Sequence, residues 1–306
     1  MNNKAIRSPF FYVGDKYKLV PQLRKLFPKR ISTYIEPFAG GGSSFLNTKA
    51  DKYLVNDIDF YIIQLHKYLS QYAGNSSSLL DLLYKTINHY GLSCSFRNIT
   101  VPDELKKKYV KTYYSHYNKE AYTHLKNDFN NNKNNLILLY LLLIYGFNHM
   151  IRFNNAGNFN LPVGNVDFNK NVYTSIIHYL SFMENNDISF YNMDFAEFLD
   201  QITFDTDSYV YLDPPYLISG SEYNKLWNEE HEKRLCSCLD ELNKKGVRFG
   251  ITNLINHKGK TNTTFIEWSK KYYIYDINSN YISFNDNTIK ENSKEVFITN
   301  YGYTES

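Results

Sequence analysis

Cysteine is scarce in this chain, and long hydrophobic runs are missing. The three cysteines, Cys94, Cys236 and Cys238, fit neither a disulfide framework nor a four-ligand zinc site. The longest apolar run, residues 136–145, is too short to span a bilayer. The first residues contain no apolar stretch typical of a signal peptide. We therefore expect a cytoplasmic protein without a membrane-embedded segment.

A strong excess of one charge is missing too. The 34 basic and 31 acidic side chains leave a formal net charge of +3. A surface that attracts nucleic acid must therefore come from local clusters of basic residues rather than from bulk charge. The 306 residues, 43% of them hydrophobic, suffice for one large domain, or one and a half, with a proper core.

The most informative feature that is present is the tetrapeptide Asp213-Pro214-Pro215-Tyr216, which follows the apolar residues 209–212. A strand that ends in such a turn places a carboxylate at its carboxyl end, where open α/β sheets bind ligands. Pro215 restricts the backbone of Pro214 and holds its carbonyl outward. Two acceptors beside the flat face of Tyr216 suit adenine or cytosine. The alternative is a plain proline-rich turn after a buried strand.

A glycine-rich turn upstream has a related pattern. Residues 31–35 are typical of a short strand, and Gly40-Gly41-Gly42 allows a tight turn with close backbone approach to a ligand. Ser43 is expected to cap a helix that begins there. Because the full Gly-x-Gly-x-x-Gly and Gly-Lys-Ser/Thr patterns are lacking, a phosphate loop is not expected. A second strand, residues 52–57, ends in Asp57, at the spacing of a ribose-binding carboxylate. A nucleoside without phosphates, such as S-adenosylmethionine, fits these observations.

Five segments, in this order, resemble the Dam-type DNA adenine-N6 methyltransferases, most closely the Dam enzymes of T-even phages. They are Tyr12-Val13-Gly14-Asp15-Lys16, Pro37-Phe38-Ala39-Gly40-Gly41, Asn56-Asp57-Ile58, Met193-Asp194-Phe195 and Asp213-Pro214-Pro215-Tyr216. The resemblance covers nearly the whole chain and implies S-adenosylmethionine as the cofactor. It implies that the catalytic residues are Asp213, Pro214, Pro215 and Tyr216. It implies that the cofactor-binding residues are Tyr12, Lys16, Glu36, Pro37, Phe38, Ala39, Gly40, Asp57, Ile58, Asp194, Phe195 and Asp213.

Strand and helix patterns alternate at both ends of the chain, while the middle is almost wholly helical. Helices are expected at residues 79–90, 102–129 and 136–147, and a β-hairpin around the turn at 154–157. With the resemblance, this predicts an α/β fold. A Rossmann-like class I methyltransferase sheet, with helices on both faces, is joined to a mainly helical target-recognition insert that ends in the hairpin. We expect residues 1–61 and 166–306 to form the catalytic domain and residues 62–165 the target-recognition domain.

The hairpin is where we expect the base sequence of DNA to be recognised. A two-stranded ribbon fits the major groove, and Arg binds guanine through two acceptors. Arg152 lies on the first hairpin segment, although a surface salt bridge is the alternative. The segment 145–152 resembles the DNA-reading segment of the Dam family. That resemblance implies double-stranded DNA as partner, GATC as target, and DNA contacts by Phe147, Asn148, Met150, Arg152 and Pro162.

Other DNA contacts are expected outside the hairpin. The family usually has a basic residue where this chain has Asn165, so a contact there is lost or is supplied by Lys170. Lysines of the segment 106–126 favour phosphate contacts, and a solvated helix face is the alternative. The segment 217–225 lacks a core pattern and is expected to order on DNA, with Tyr223 and Lys225 reaching the strand.

The sequence therefore predicts a site-specific DNA adenine-N6 methyltransferase that flips adenine out of the duplex. It is expected to need no metal and to act as a monomer or weak dimer on DNA. Cytosine-N4 methyltransferases usually carry Ser in place of Asp213, which favours adenine. The alternatives are an inactive methyltransferase fold kept for DNA binding or regulation, or an amino-methyltransferase acting on another nucleic acid.

Overall fold

The computed structural model describes residues 5–219, 227–278 and 293–303. These residues fall into two compact units. The helical unit comprises the described residues of Met1–Tyr17, Gly40–Leu46 and Asp59–Asn186. The sheet unit comprises those of Lys18–Ala39, Asn47–Ile58 and Asp187–Ser306. Within the described ranges no helix is both long and apolar enough to cross a membrane.

The sheet unit is built on one mixed sheet with the strand order β3-β2-β1-β4-β5-β8-β7. Strands β1 to β5 are parallel, β8 is antiparallel to both β5 and β7, and β6 pairs with the end of β5. The chain order reverses between β1 and β4, which makes this the switch point where open α/β sheets bind ligands. The strands are β1 (Thr33–Glu36), β2 (Lys52–Asn56), β3 (Asp187–Tyr191), β4 (Tyr209–Leu212), β5 (Arg248–His257), β6 (Lys260–Thr261), β7 (Tyr273–Ile277) and β8 (Ser293–Thr299).

Side chains on the two faces of the sheet make two different layers. On β4, Tyr209 and Tyr211 point to an aromatic layer that includes Phe27. The alternate residues, Val210 and Leu212, belong to an aliphatic layer covered by helices. The helices of this unit are α1 (Val20–Leu26), α8 (Phe195–Gln201), α9 (Glu229–Lys244) and α10 (Thr263–Ser269). The α/β fold class and its sheet flanked by helices are thus confirmed.

The helical unit surrounds one wholly apolar helix. In α6, every residue from Ile137 to Tyr145 is buried, as expected of a helix that is hydrophobic on all sides. Asp59 caps α2 and Asn169 caps α7, each accepting from two backbone N–H groups. The helices are α2 (Phe60–Ser70), α3 (Ser76–Tyr90), α4 (Asp103–Lys108), α5 (Tyr113–Asn131), α6 (Leu136–Tyr145) and α7 (Lys170–Asn185).

Three sequence expectations were wrong in detail. The helix expected at 102–129 is two helices, because the side chain of Asn165 binds the start of α5. Its Oδ1 accepts from the N–H groups of Tyr114 (3.0 Å) and Ser115 (3.3 Å), and its Nδ2 donates to the Lys111 carbonyl (2.7 Å). The apolar helix expected to reach residue 147 ends at Tyr145. Only a single 3-10 turn, Phe45–Asn47, follows Ser43 instead of the expected helix.

The predicted bounds of the catalytic and target-recognition domains stay a prediction, because the compact units divide the chain by contacts between residues and not by function. The compact units nevertheless divide the chain at other residues than the predicted domains do. Residues 5–17 and helix α7 belong to the helical unit. The hydroxyl of Tyr140, on α6, donates to the carbonyl of Pro9 (3.0 Å), which explains why the amino-terminal segment joins that unit.

Candidate active site

Asp213 directly follows β4, at the switch point of the sheet. Its Oδ1 accepts hydrogen bonds from the hydroxyl of Thr252 on β5 (2.8 Å) and from the hydroxyl of Tyr216 (3.0 Å). The carboxylate is therefore held from a neighbouring strand and from within its own turn. Pro214 is buried and Pro215 half-buried, so the turn that carries Asp213 is anchored in the protein.

Tyr216 links Asp213 to a second acid, Glu295 on β8. The Tyr216 hydroxyl lies 2.5 Å from Glu295 Oε1. Glu295 is 1% exposed and Tyr216 is 7% exposed, with its ring packed against Ile218 and Leu254. The single hydroxyl proton can be donated to only one carboxylate at a time. The ring that we expected to offer an open face to a base is therefore covered, and a stacking base requires it to be uncovered.

Glu295 was missed by the sequence analysis. Its only signal was an acid directly before the apolar residues 296–298 of a buried strand. An acid in such a position is uncommon unless it has a partner, and that partner lies 79 residues away in the chain.

Asn56, at the end of β2, connects the loops that follow three parallel strands. Its Nδ2 donates to the carbonyls of Pro37 and Met193 (both 3.0 Å), and its Oδ1 accepts from the Met193 N–H (3.1 Å). Its carbonyl accepts from the Ala39 N–H (2.9 Å). Asn56 is fully buried. The predicted cofactor segments after β1, β2 and β3 are thereby brought together at one edge of the sheet, beside the buried Glu36 at the end of β1.

Asp57 and Ile58 follow Asn56 at this edge. The side chain of Asn192 donates to both of their carbonyls (2.8 and 3.1 Å), which fixes the backbone of the turn. Asp57 is half-buried, and Ile58 is 68% exposed. An apolar side chain so exposed at the ligand-binding edge of a sheet is available to cover a flat apolar ligand.

Asp194 and Phe195 begin α8. Asp194 accepts from the Ala196 N–H (2.9 Å) as the helix cap and forms an ion pair with Arg234 of α9. The Arg234 guanidinium lies 4.6 Å from the centre of the Phe195 ring. Phe195 also contacts Phe38 (5.2 Å between ring centres), so two predicted cofactor residues from different loops meet.

The remaining predicted cofactor residues lie in the helical unit. The Tyr12 hydroxyl donates to Asp59 Oδ2 (3.1 Å), and Lys16 is half-buried at the start of a 3-10 turn. His66 lies between the Gly40 carbonyl and the Tyr179 hydroxyl, each 2.9 Å from a ring nitrogen. Its complete burial lowers the pKa of His66 to about 4. The neutral ring therefore holds the glycine turn, and sequence reasoning had not identified it.

The predicted DNA-reading segment is a hairpin-shaped loop without the two regular strands expected. Within residues 146–163, all of them described, pairing is limited to the bridges Phe153/Phe159 and Gly146/Val163. Backbone bonds join the two arms on either side of the Phe153/Phe159 bridge, from the Asn160 N–H to the Arg152 carbonyl (3.0 Å) and from the Asn154 N–H to the Asn158 carbonyl (2.9 Å). Side chains of two helices hold the hairpin from outside. Asn130 of α5 binds both the N–H and the carbonyl of Phe159 (2.7 and 3.1 Å), and Phe153 stacks on Tyr61 of α2 (4.6 Å).

The DNA-reading candidates differ in exposure. Phe147, Asn148 and Pro162 are exposed, while Met150 and Arg152 are half-buried. Contacts of the Arg152 guanidinium include Asn160, whose Oδ1 accepts from Nε (2.9 Å) and whose carbonyl accepts from Nη2 (3.1 Å). Arg152 thus bonds across the hairpin to a neutral residue. Tyr223 and Lys225 lie outside the described residues.

The basic segment of the insert remains a candidate for phosphate contacts. The side chains of Lys107, Lys108, Lys111 and Lys119 are exposed. Lys106 forms an ion pair with Asp103 (2.9 Å). The departure at Asn165 has a structural reason, since that side chain is used to bind the start of α5.

Known proteins resemble this chain over most of its length. The family described as D12 class N6 adenine-specific DNA methyltransferase matches residues 12–281. The modification methylase StsI of Streptococcus sanguinis is 34% identical over 97% of this chain, and the type II methyltransferase M.FokI of Planomicrobium okeanokoites is 33% identical over 98%. The chain spans 43% of each of these two relatives. The DNA adenine methylase of Salmonella typhi is 26% identical over 70% of this chain and 66% of that protein.

Proposed function

Because the chain belongs to the D12 class N6 adenine-specific DNA methyltransferase family, we propose that it methylates N6 of adenine in double-stranded DNA with S-adenosylmethionine as the methyl donor. The observation that carries the proposal is the position of Asp213. It lies at the switch point of the sheet, oriented by Thr252 and Tyr216, beside the loops that Asn56 connects.

The residues at the sheet edge fit the cofactor. Asp57 offers a half-buried carboxylate to a ribose hydroxyl, and the exposed Ile58 offers an apolar surface to an adenine ring. Phe38 and Phe195 add aromatic rings to this edge. The bound cofactor supplies an electrophilic methyl group on a sulfonium ion.

In this mechanism the protein holds the target adenine outside the duplex. Extrusion of the base costs a few kcal/mol, of which stacking on Tyr216 returns roughly 1–3 kcal/mol once the ring is uncovered. Asp213 and the Pro214 carbonyl accept hydrogen bonds from the two N6 hydrogens, which directs the nitrogen lone pair toward the methyl group. The methylated amino group then loses one proton to water. Acceptors aimed at the developing positive charge stabilise the transition state, and alignment supplies much of the rate.

For the target we propose GATC, read by Arg152 at a guanine, with Phe147, Asn148, Met150 and Pro162 around the hairpin. The support is the Dam-like segment 145–152, and the resemblance to the T-even phage enzymes stays a prediction. The relatives with higher identity are type II modification methylases, so restriction-modification is the context we favour. A cytoplasmic location and a monomer or weak dimer on DNA also stay predictions.

The test is methyl transfer from labelled S-adenosylmethionine to unmethylated plasmid, followed by sequencing that maps N6-methyladenine. Asp213→Ala is the inactive control, and cofactor binding by the same variant verifies that it is folded. Transfer at GATC supports the whole proposal. Transfer at another site retains the reaction and rejects the target. Cofactor binding without transfer to any DNA supports a binding module or another nucleic-acid substrate.

A further inference from the structure

We propose that Trp227 forms a wall of the subsite that takes the adenine ring of the cofactor, and that Glu232 is the residue that positions it. The inference rests on the proposed function and adds two residues to its site. Trp227 contacts both aromatic side chains of the cofactor edge. Its ring centre lies 5.7 Å from that of Phe38, nearly perpendicular, and 5.8 Å from that of Phe195.

Three features distinguish this cluster from ordinary core packing. Phe38 follows β1 and Phe195 follows β3, so both rings lie at the carboxyl edge of the parallel strands, where ligands bind. Phe38 and Trp227 both remain partly exposed. Arg234 lies over Phe195 and pairs with Asp194, so polar groups lie beside the aromatic rings, an arrangement that suits the flat faces and polar edges of a nucleobase.

Glu232, on α9, holds Trp227 through a buried hydrogen-bond network. Its Oε2 accepts from the indole Nε1–H of Trp227 (2.7 Å). Its Oε1 accepts from the side-chain amides of Asn253 on β5 (2.9 Å) and Asn262 before α10 (2.8 Å). Glu232 is completely buried, and this burial raises its pKa. A buried acid with three neutral donors fixes the indole in one orientation.

Trp227 donates to one carboxylate oxygen of Glu232, and the two asparagines donate to the other. Glu232→Gln is therefore expected to break the bond to Trp227 and keep the other two. The glutamine oxygen keeps the two asparagine donors, so its NH2 group faces the indole N–H, and the hold on Trp227 is lost. We expect KM for S-adenosylmethionine to rise about tenfold while kcat and KM for DNA change little. A purely structural role would lower activity through loss of folded protein and leave KM for the cofactor unchanged.

Fluorescence tests the wall directly, because the chain has only two tryptophans, Trp227 and Trp268. In Trp268→Phe the fluorescence comes from Trp227 alone. We expect titration with S-adenosylhomocysteine to change this emission. The Kd for S-adenosylhomocysteine is measured separately by calorimetry. In Trp227→Phe, where Trp268 packs against Phe249 and Tyr272, we expect no change.

The outcomes separate this inference from the proposed function. Calorimetric binding without a change in Trp227 emission overturns the inference and leaves the function standing. An unchanged cofactor KM in a folded Glu232→Gln protein overturns the positioning role. Absence of any S-adenosylhomocysteine binding to the unmodified protein overturns both the function and this inference.

Discussion

The bond between Tyr216 and Glu295 gives the sharpest quantitative prediction. Tyr216→Phe removes the hydroxyl and keeps the ring, while Glu295→Met removes the carboxylate and keeps a side chain of similar length. The two groups are 2.5 Å apart and almost fully buried, in the range of short O–H···O⁻ bonds. Hydrogen bonds to charged groups contribute about 1.5–3 kcal/mol. We therefore expect a coupling free energy of about 2 kcal/mol between the two substitutions.

The measurement is a double-mutant cycle in urea at 25 °C, which compares the unfolding free energies of both single variants and the double variant. A control cycle pairs Tyr216→Phe with Glu267→Met, because the carboxylate of Glu267 bonds to Lys270 on the protein surface. The control should be additive. If the Tyr216/Glu295 cycle is additive within about 0.5 kcal/mol as well, the bond does not hold the turn that carries Asp213 and our account of it is refuted.

The other predictions concern the carboxylate, the glycine turn and its histidine. Thr252→Val removes a hydrogen-bond donor from Asp213 and leaves its carboxylate less well oriented. We expect kcat to fall about tenfold, which corresponds to the free energy of one hydrogen bond. Sequencing should show methylation at the same sites. His66 has a depressed pKa of about 4 against its ordinary 6.5, so its neutral form contributes stability above pH 6.5 that is lost as pH falls toward 4. His66→Gln should flatten this part of the stability–pH curve by up to about 3 kcal/mol, and equal slopes would contradict the assignment. Gly42→Ala should lower Tm more than Gly259→Ala, since both have positive φ but only the first Cβ would overlap a ring; equal Tm losses would argue against a close-packed turn.

Much of the fold was predictable because local patterns carry it. The apolar run before Asp213 forms β4 at the residues expected, 209–212, and the helix expected at 79–90 lies within α3, which ends at Tyr90 as predicted. Strand period, helix period and turn residues act over a few neighbouring residues. The position of Asp213 at the edge of the sheet follows from them.

The errors arose where a distant side chain acts on the local backbone. Nothing in residues 102–129 predicts a break, because Asn165 supplies the bonds that begin α5. There, a contact in the tertiary structure overrides the local preference. The hairpin turn was predictable, but its attachment was not, because Asn130 and Tyr61 hold it from two helices.

The sequence by itself determined which strand carries the Asp213 turn and which loops follow the parallel strands, since period and spacing are properties of neighbouring residues. Only the tertiary structure decided which side chains hold those groups. Glu295 meets Tyr216 because β8 pairs with β5 in the antiparallel sense, and Glu232 meets Asn262 because α9 and α10 pack together. Such partners depend on which helices and strands become neighbours. The free-energy cost of burying an acidic side chain is offset only once its hydrogen-bond partners are in place.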